Sequence, residues 1–239
     1  MKAVILAAGT GRRLLPYTKN CPKSLVRIRS KPLIAYLLDN FSEMGFSEVV
    51  VVVGYRGTMF RKILGQKYNQ CRLIYRLNKK YSSTDNLNSL FIARKDLDGE
   101  FILVNGDVLF NKKILTKLIK DPRQNVTVVD SSGVVETNSM NVRIKGHQVL
   151  EMGRGLKEKS KRVLGMYKFS KEGALKYFQI AEDVVKKARG EGVQIEKPIK
   201  EFLKTEHLFV LDIKGIPWQE IDDQNDLTIA ENKLLKIIK

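Results

Sequence analysis

At 239 residues the chain is long enough for one large α/β domain with a full core. Its two cysteines, Cys21 and Cys71, and two histidines, His147 and His207, stand apart in the sequence; this excludes a disulfide framework and a zinc site and points to a reducing cytoplasm. The net charge of +17 raises nucleic acid as a partner, but lysines such as Lys112, Lys113, Lys117 and Lys120 scatter over helix faces without a basic tail or aromatic-basic ladder. The expectation is a solvated basic surface, an anionic small-molecule site and no specific nucleic-acid partner.

In chain order, residues 2–8 form a short continuous apolar run closed by Gly9-Thr10-Gly11-Arg12-Arg13. The run is too short for a signal peptide and predicts a buried strand; no other segment approaches a membrane span. Pro32 opens a helix whose face carries Leu33, Ile34, Leu37, Leu38, Phe41 and Met44, with Gly45 at its end. Residues 48–53 predict a second strand, 57–68 a helix and 72–75 a strand. Segment 76–85 is polar and turn-like, 86–96 reads as helix, and 101–104 is a strand ending in Asn105-Gly106-Asp107.

After residue 125 the rhythm changes to strands at 125–130, 140–145, 148–152 and 163–169, with turns at 131–133 and Gly146. A helix follows at 171–189, with Leu175, Phe178, Ala181, Val185 and Ala188 on one face, and another at 195–204. Strand 208–213, segment 218–222 and a helix from about 224 close the chain. The expected fold is α/β, a Rossmann-like, mostly parallel sheet with helices on both faces plus a smaller β-rich acceptor-side region. We expect one domain over 1–239, with a nucleotide-binding half at 1–124 and an acceptor-side half at 125–239. Parallel sheets bind ligands beyond the carboxyl ends of their strands, where loops 8–24, 76–89 and 105–111 begin.

The first of these loops offers small residues that let backbone N–H groups approach a phosphate or base. A dinucleotide fingerprint fails because Leu14 occupies the third glycine position and the second strand ends at Gly54, not at an acidic residue. A Walker A loop fails for want of Gly-Lys-Ser/Thr. A tight strand-to-helix turn accounts for the glycines but not for Arg12 and Lys23 nearby.

Leu6-Ala7-Ala8-Gly9-Thr10-Gly11-Arg12-Arg13-Leu14, followed by Pro22-Lys23-Ser24-Leu25, resembles the signature of the sugar-nucleotide and cytidylyl nucleotidyltransferases. The resemblance continues through Asn105-Gly106-Asp107-Val108 and Trp218-Gln219-Glu220-Ile221-Asp222, and so spans nearly the whole chain in order. It implies that Leu6, Ala7, Ala8, Gly9, Gly11 and Gly106 wrap the nucleotide and that Arg12 and Lys23 sit against its triphosphate. Asp107 would hold Mg²⁺, with Asp222 as the second carboxylate; Asp223 is a candidate N-cap of the last helix, which leaves Asp222 for metal.

Residues 80–90, Lys-Tyr-Ser-Ser-Thr-Asp-Asn-Leu-Asn-Ser-Leu, look like the Y-x-x-x-N-N-x-x-S-L stretch of phosphocholine-type cytidylyltransferases, with Asp85 in place of the first asparagine. This brings Thr84, Asn86 and Ser89 to the nucleotide; the same segment also reads as a helix start capped by Thr84 or Asp85. Ser24 and the ending Gly215–Asp222 point to the same branch. Where the sugar enzymes carry an E-K-P lysine, Glu151-Met152-Gly153-Arg154 stands here, so Arg154 is the candidate for the acceptor phosphate, with Glu220 nearby. Trp218 either stacks on the acceptor or serves as a core or lid residue. The resemblance thus implies a Mg²⁺-dependent enzyme that transfers CMP from CTP to a phosphorylated small molecule. The alternatives are a sugar-1-phosphate nucleotidyltransferase using UTP or dTTP, and a basic nucleic-acid-binding protein.

Overall fold

The computed structural model describes residues 1–132, 139–156, 160–188 and 192–238; Gly133, expected in a turn, and residue 189, expected to end a helix, lie outside them. Strand β1 (Lys2–Ala7) lies between β4 (Glu48–Val53) and β7 (Phe101–Asn105), parallel to both, and β6 (Cys71–Leu77) extends the parallel set beyond β4. Strand alternation sends Ala3, Ile5 and Ala7 to one face and Val4 and Leu6 to the other. Valines of β4 alternate in the same way, so the segment is buried on both sides. On the first face pack α1 (Leu33–Glu43), α2 (Thr58–Leu64) and α4 (Lys112–Lys120); on the second, α3 (Asn86–Ala93), α5 (Lys171–Lys187) and α6 (Glu196–Phe202). The α/β fold with helices on both faces is as expected.

The β-rich half continues the same sheet and does not form a separate layer. Strand β12 (Ser160–Phe169) pairs antiparallel with β7 and with β9 (Val126–Asp130); β13 (Phe209–Asp212) runs parallel to β9. Strands β10 (Met140–Lys145) and β11 (Gln148–Arg154) complete that edge, giving the order β10-β11-β13-β9-β12-β7-β1-β4-β6-β5. The sheet is therefore mixed, its parallel part confined to the nucleotide half apart from the β9–β13 pair. Two short ribbons stand outside it: β2 (Arg27–Ile28) with β3 (Lys31–Pro32), and β8 (Val108–Phe110) with β14 (Trp218–Glu220).

Local differences from the expected elements have local causes. The helix expected at 57–68 stops at Leu64, because Gly65 takes φ of 74°; Lys67–Tyr68 then folds back as β5 on β6 through Asn69. Strand β6 reaches Leu77, two residues further than its composition indicates, because β4 continues to pair with it up to Val53. Helix α3 ends at Ala93 and passes into a 3₁₀ turn at Arg94–Asp96. In α5 the buried residues are Gly173, Ala174, Tyr177 and Ala181, while Leu175, expected in the core, is 60% exposed. The rest of the expected stripe faces the core, with Ala181 buried and Phe178, Val185 and Ala188 packed against the same cluster; the Ser170 hydroxyl caps the helix by accepting the Gly173 N–H at 3.0 Å. The closing helix α7 (Gln224–Ile238) starts where expected. No helix among the described residues is long and apolar enough to cross a membrane.

Candidate active site

The carboxyl ends of β1 and β7 open onto a cleft of about 360 Å³. One wall is the turn after β1, where Gly11 is left-handed at φ 66° and a Cβ would stand 2.8 Å from the Lys23 Cβ. The chain then enters a 3₁₀ turn at Arg12–Leu14, not an α-helix. Beneath the cleft floor, Gly106 N–H donates to Leu6 C=O at 2.8 Å. A Cβ at Gly106 would lie 2.7 Å from both that carbonyl oxygen and the Ser24 hydroxyl. Gly106→Ala is thus expected to destabilise the fold by about 1–3 kcal/mol, since backbone must move to admit the methyl. Equilibrium unfolding checks this, and a change below about 0.5 kcal/mol would contradict it.

Ribbon β8–β14 assembles the acidic floor. Glu220 pairs with Val108, and Ile221 N–H donates to the Asp107 carbonyl at 2.9 Å, so Asp107 meets Glu220 and Asp222 across the ribbon. One oxygen from each of the three carboxylates lies within 4.8 Å of the others. Asp223 caps α7, accepting the Asp226 N–H at 3.0 Å, while Asp226 accepts the N–H groups of Asp222 and Asp223. The Asp222 side chain is left to face the cleft.

Lys23, 12% exposed, bridges two of these carboxylates: its Nζ is 2.8 Å from Asp107 Oδ2 and 2.5 Å from Asp222 Oδ1. Burial disfavours the ammonium, but Asp107 and Asp222 outweigh it and hold its pKa above the ordinary lysine value. Burial also opposes the charged form of Asp222, yet Lys23 and Arg13 keep its carboxyl below the usual range. Glu220 has the opposite balance. Burial first, then Asp107 and Asp222, push it up to about 7 against the pull of Arg162, whose Nη2 is 3.0 Å away. Asp107 Oδ1 is buried and has no hydrogen-bond partner. Three converging hard oxygen donors and an orphaned carboxylate oxygen suit a divalent cation such as Mg²⁺.

The other wall is the segment that follows β6. Asn78 Nδ2 donates to Thr84 Oγ1 and Ser89 Oγ, both at 3.1 Å, and Asp85 caps α3 by accepting the Asn86 N–H at 2.7 Å. Asn86 Oδ1 in turn accepts the Ile195 N–H at 2.8 Å, which brings Glu196 into the cleft. Glu196 is buried and accepts the Tyr167 hydroxyl at 3.2 Å; burial raises its pKa, with Arg154 acting the other way.

Of the residues singled out from sequence, Leu6, Ala8, Gly9, Thr84, Asn86, Ser89, Asp107, Arg154, Glu220 and Asp222 line this cleft. Ala7, Gly11 and Gly106 shape it from behind, and Lys23 lies under its carboxylates. Arg12 does not line it: both arginines of the 3₁₀ turn are exposed, and it is Arg13 whose guanidinium reaches Asp222, at 2.9 Å, and borders the cleft. Trp218 is also outside the lining. Its Nε1 donates to Asp130 Oδ2 at 2.9 Å, and its ring carries the Arg162 guanidinium 4.9 Å from the centroid. Arg13, Asn78, Asn105, Arg162 and Glu196 are among the cleft residues that sequence reasoning did not assign to the site. Two of them had a local signal, Arg13 as the second half of an arginine doublet and Asn105 as the first residue of the Asn105-Gly106-Asp107 motif.

Residues 2–141 match the nucleotidyl transferase family. Choline-phosphate cytidylyltransferase of Streptococcus pneumoniae is 37% identical over 120 residues, covering 50% of this chain and 51% of that one. The bifunctional protein GlmU of Methanococcus vannielii is 28% identical over 246 residues, covering 100% of this chain and 56% of its own. The chain thus spans about half the length of these curated relatives. Among solved structures, the CTP:phosphocholine cytidylyltransferase of S. pneumoniae superposes with a TM-score of 0.80 at 24% identity, covering 98% of each chain, and so shares the fold. With the family match running from β1 past the Asp107 loop, the chain belongs to the nucleotidyl transferase family.

Proposed function

We propose that the chain transfers CMP from CTP to a small phosphomonoester, such as phosphocholine or an inositol phosphate, and releases pyrophosphate. The observation that carries this reading is the Asp107–Glu220–Asp222 cluster with Lys23, set beside the glycine loop that follows β1. In the reaction an acceptor phosphate oxygen bonds to the α-phosphorus of CTP as the bond to the bridging oxygen of the β-phosphate breaks. A phosphate monoester is largely dianionic near neutral pH. The task is therefore to bring two anions together, not to remove a proton. Backbone N–H groups of the Ala8–Gly11 turn, with Arg13 and Lys23, would hold the triphosphate. Mg²⁺ held by Asp107 and Asp222, with Glu220 alongside, would neutralise charge on the reacting phosphates.

Support for cytosine comes from the 37% identical half shared with the choline-phosphate enzyme and from the wall at 78–89, which is tied together through Asn78. Cytosine presents a donor where uracil presents an acceptor. Fixed partners mismatched to the base would leave a buried group unpaired, at about 1–3 kcal/mol, or roughly tenfold to hundredfold in preference. Equal concentrations of CTP and UTP in competition for a working acceptor test this. The cytidylyl product is expected to dominate; dominance of uridylyl or thymidylyl products would replace this reading with a sugar-nucleotide one.

A further inference from the structure

Three guanidinium groups, of Arg13, Arg154 and Arg162, line the cleft, and their surroundings divide them. Arg13 stands at the nucleotide loop against Asp222. Arg154 is exposed and in electrostatic contact with Glu196. Arg162, at the start of β12 and 20% exposed, lies on the face of Trp218 and reaches Glu220 Oε2 at 3.0 Å, at the rim of the carboxylate cluster.

The platform under Arg162 is itself fixed. Trp218 is tied to Asp130 through Nε1, and Asp130 Oδ1 accepts the Ser132 N–H at 2.9 Å, the Ser132 hydroxyl at 2.7 Å and the Gly215 N–H at 3.1 Å. An arginine stacked on an indole has its plane set, and a guanidinium presents its N–H donors as a planar fork suited to phosphate oxygens. A guanidinium carries five N–H donors, so the contact to Glu220 uses only part of its capacity.

We propose that Arg162, laid on Trp218, receives the phosphate of the acceptor, with Trp218 as its positioning residue. The inference rests on the proposed function only in taking the acceptor to be a phosphomonoester. It replaces Arg154, the sequence-based candidate. Arg154 is exposed, whereas Arg162 is mostly buried with its guanidinium laid on Trp218, which makes Arg162 the better-ordered fork.

Trp218 is the chain's one tryptophan, so its emission reports on the group stacked against it. Titration of the intact protein with inorganic phosphate, without nucleotide, is expected to give a saturable change in that emission. Arg162→Gln should weaken the response at least tenfold and Arg162→Lys less. In turnover with the phosphomonoester that releases most pyrophosphate, Arg162→Gln should raise the acceptor KM at least thirtyfold and leave the CTP KM within threefold. Far-UV circular dichroism and melting of both variants separate this from misfolding. A wild-type response in Arg162→Gln, no saturable response in the wild type, or parallel rises in both KM values would overturn the assignment. If phosphate binds through Arg162 but no nucleotide–acceptor pair turns over, the functional reading fails and the phosphate site stands. Normal turnover of Arg162→Gln has the reverse meaning.

Discussion

Asp107→Asn is expected to keep the fold and to lower kcat by at least about a hundredfold, the scale of losing one electrostatic element at a reacting phosphate. The amide fills nearly the same space. It removes a negative charge from the cluster and replaces one of the two carboxylate oxygens, of which Oδ2 binds Lys23 and Oδ1 has no partner. An amide in that position keeps at most a neutral acceptor, so divalent-cation affinity should fall with turnover. Steady-state kinetics alongside isothermal titration with Mg²⁺ measure both. Activity within a few-fold of wild type would remove Asp107 from the mechanism.

Lys23→Met should have an effect of similar size on turnover and a second effect on stability. The methionine keeps the apolar stem but leaves Asp107 and Asp222 without their bridging cation. Removing one partner of a fully buried pair costs about 3–5 kcal/mol. The cost here should be smaller, because the Asp107 and Asp222 side chains keep 25% and 23% exposure and water screens them in part. A divalent cation replaces the missing charge. Saturating Mg²⁺ should therefore raise the melting temperature of Lys23→Met more than that of the wild type. Equal Mg²⁺ shifts in the two proteins would mean that Lys23 and the cation do not answer to the same carboxylates. If kcat is lost while the CTP KM is retained, the ammonium acts on the transition state; a change confined to KM would make Lys23 a binding residue alone.

The sequence was most legible where the local pattern and the tertiary demand coincide. Pro32 and Gly45 bracket α1, whose face is buried as the 3.6-residue period requires, and Asp223 caps α7 so that its neighbour Asp222 is available to the cleft. The acidic floor was readable because Gly106-Asp107 and Glu220-Ile221-Asp222 are contiguous motifs at the ends of short strands. Arg13 was not distinguishable from Arg12, since a left-handed Gly11 and a 3₁₀ turn decide which of two adjacent exposed side chains reaches Asp222. Arg162 and Glu196 were missed for a different reason. Each reads locally as an ordinary solvated residue, one at a strand start and the other in the first turn of a helix. Contacts with Trp218 and Asn86–Ile195, distant in sequence, bring them to the cleft. The apolar face of α5 was read correctly at Phe178, Ala181, Val185 and Ala188 and failed only at Leu175, which faces solvent.

The most direct test of the central claim is pyrophosphate release by the intact protein with Mg²⁺, four nucleoside triphosphates and a panel of phosphomonoesters that includes phosphocholine and inositol 1-phosphate. The account predicts release only when a triphosphate and an acceptor are both present, highest with CTP, abolished by a chelator and reduced at least about a hundredfold in Asp107→Asn. Acceptor-dependent release that survives chelation, or that is unchanged in Asp107→Asn, would contradict it.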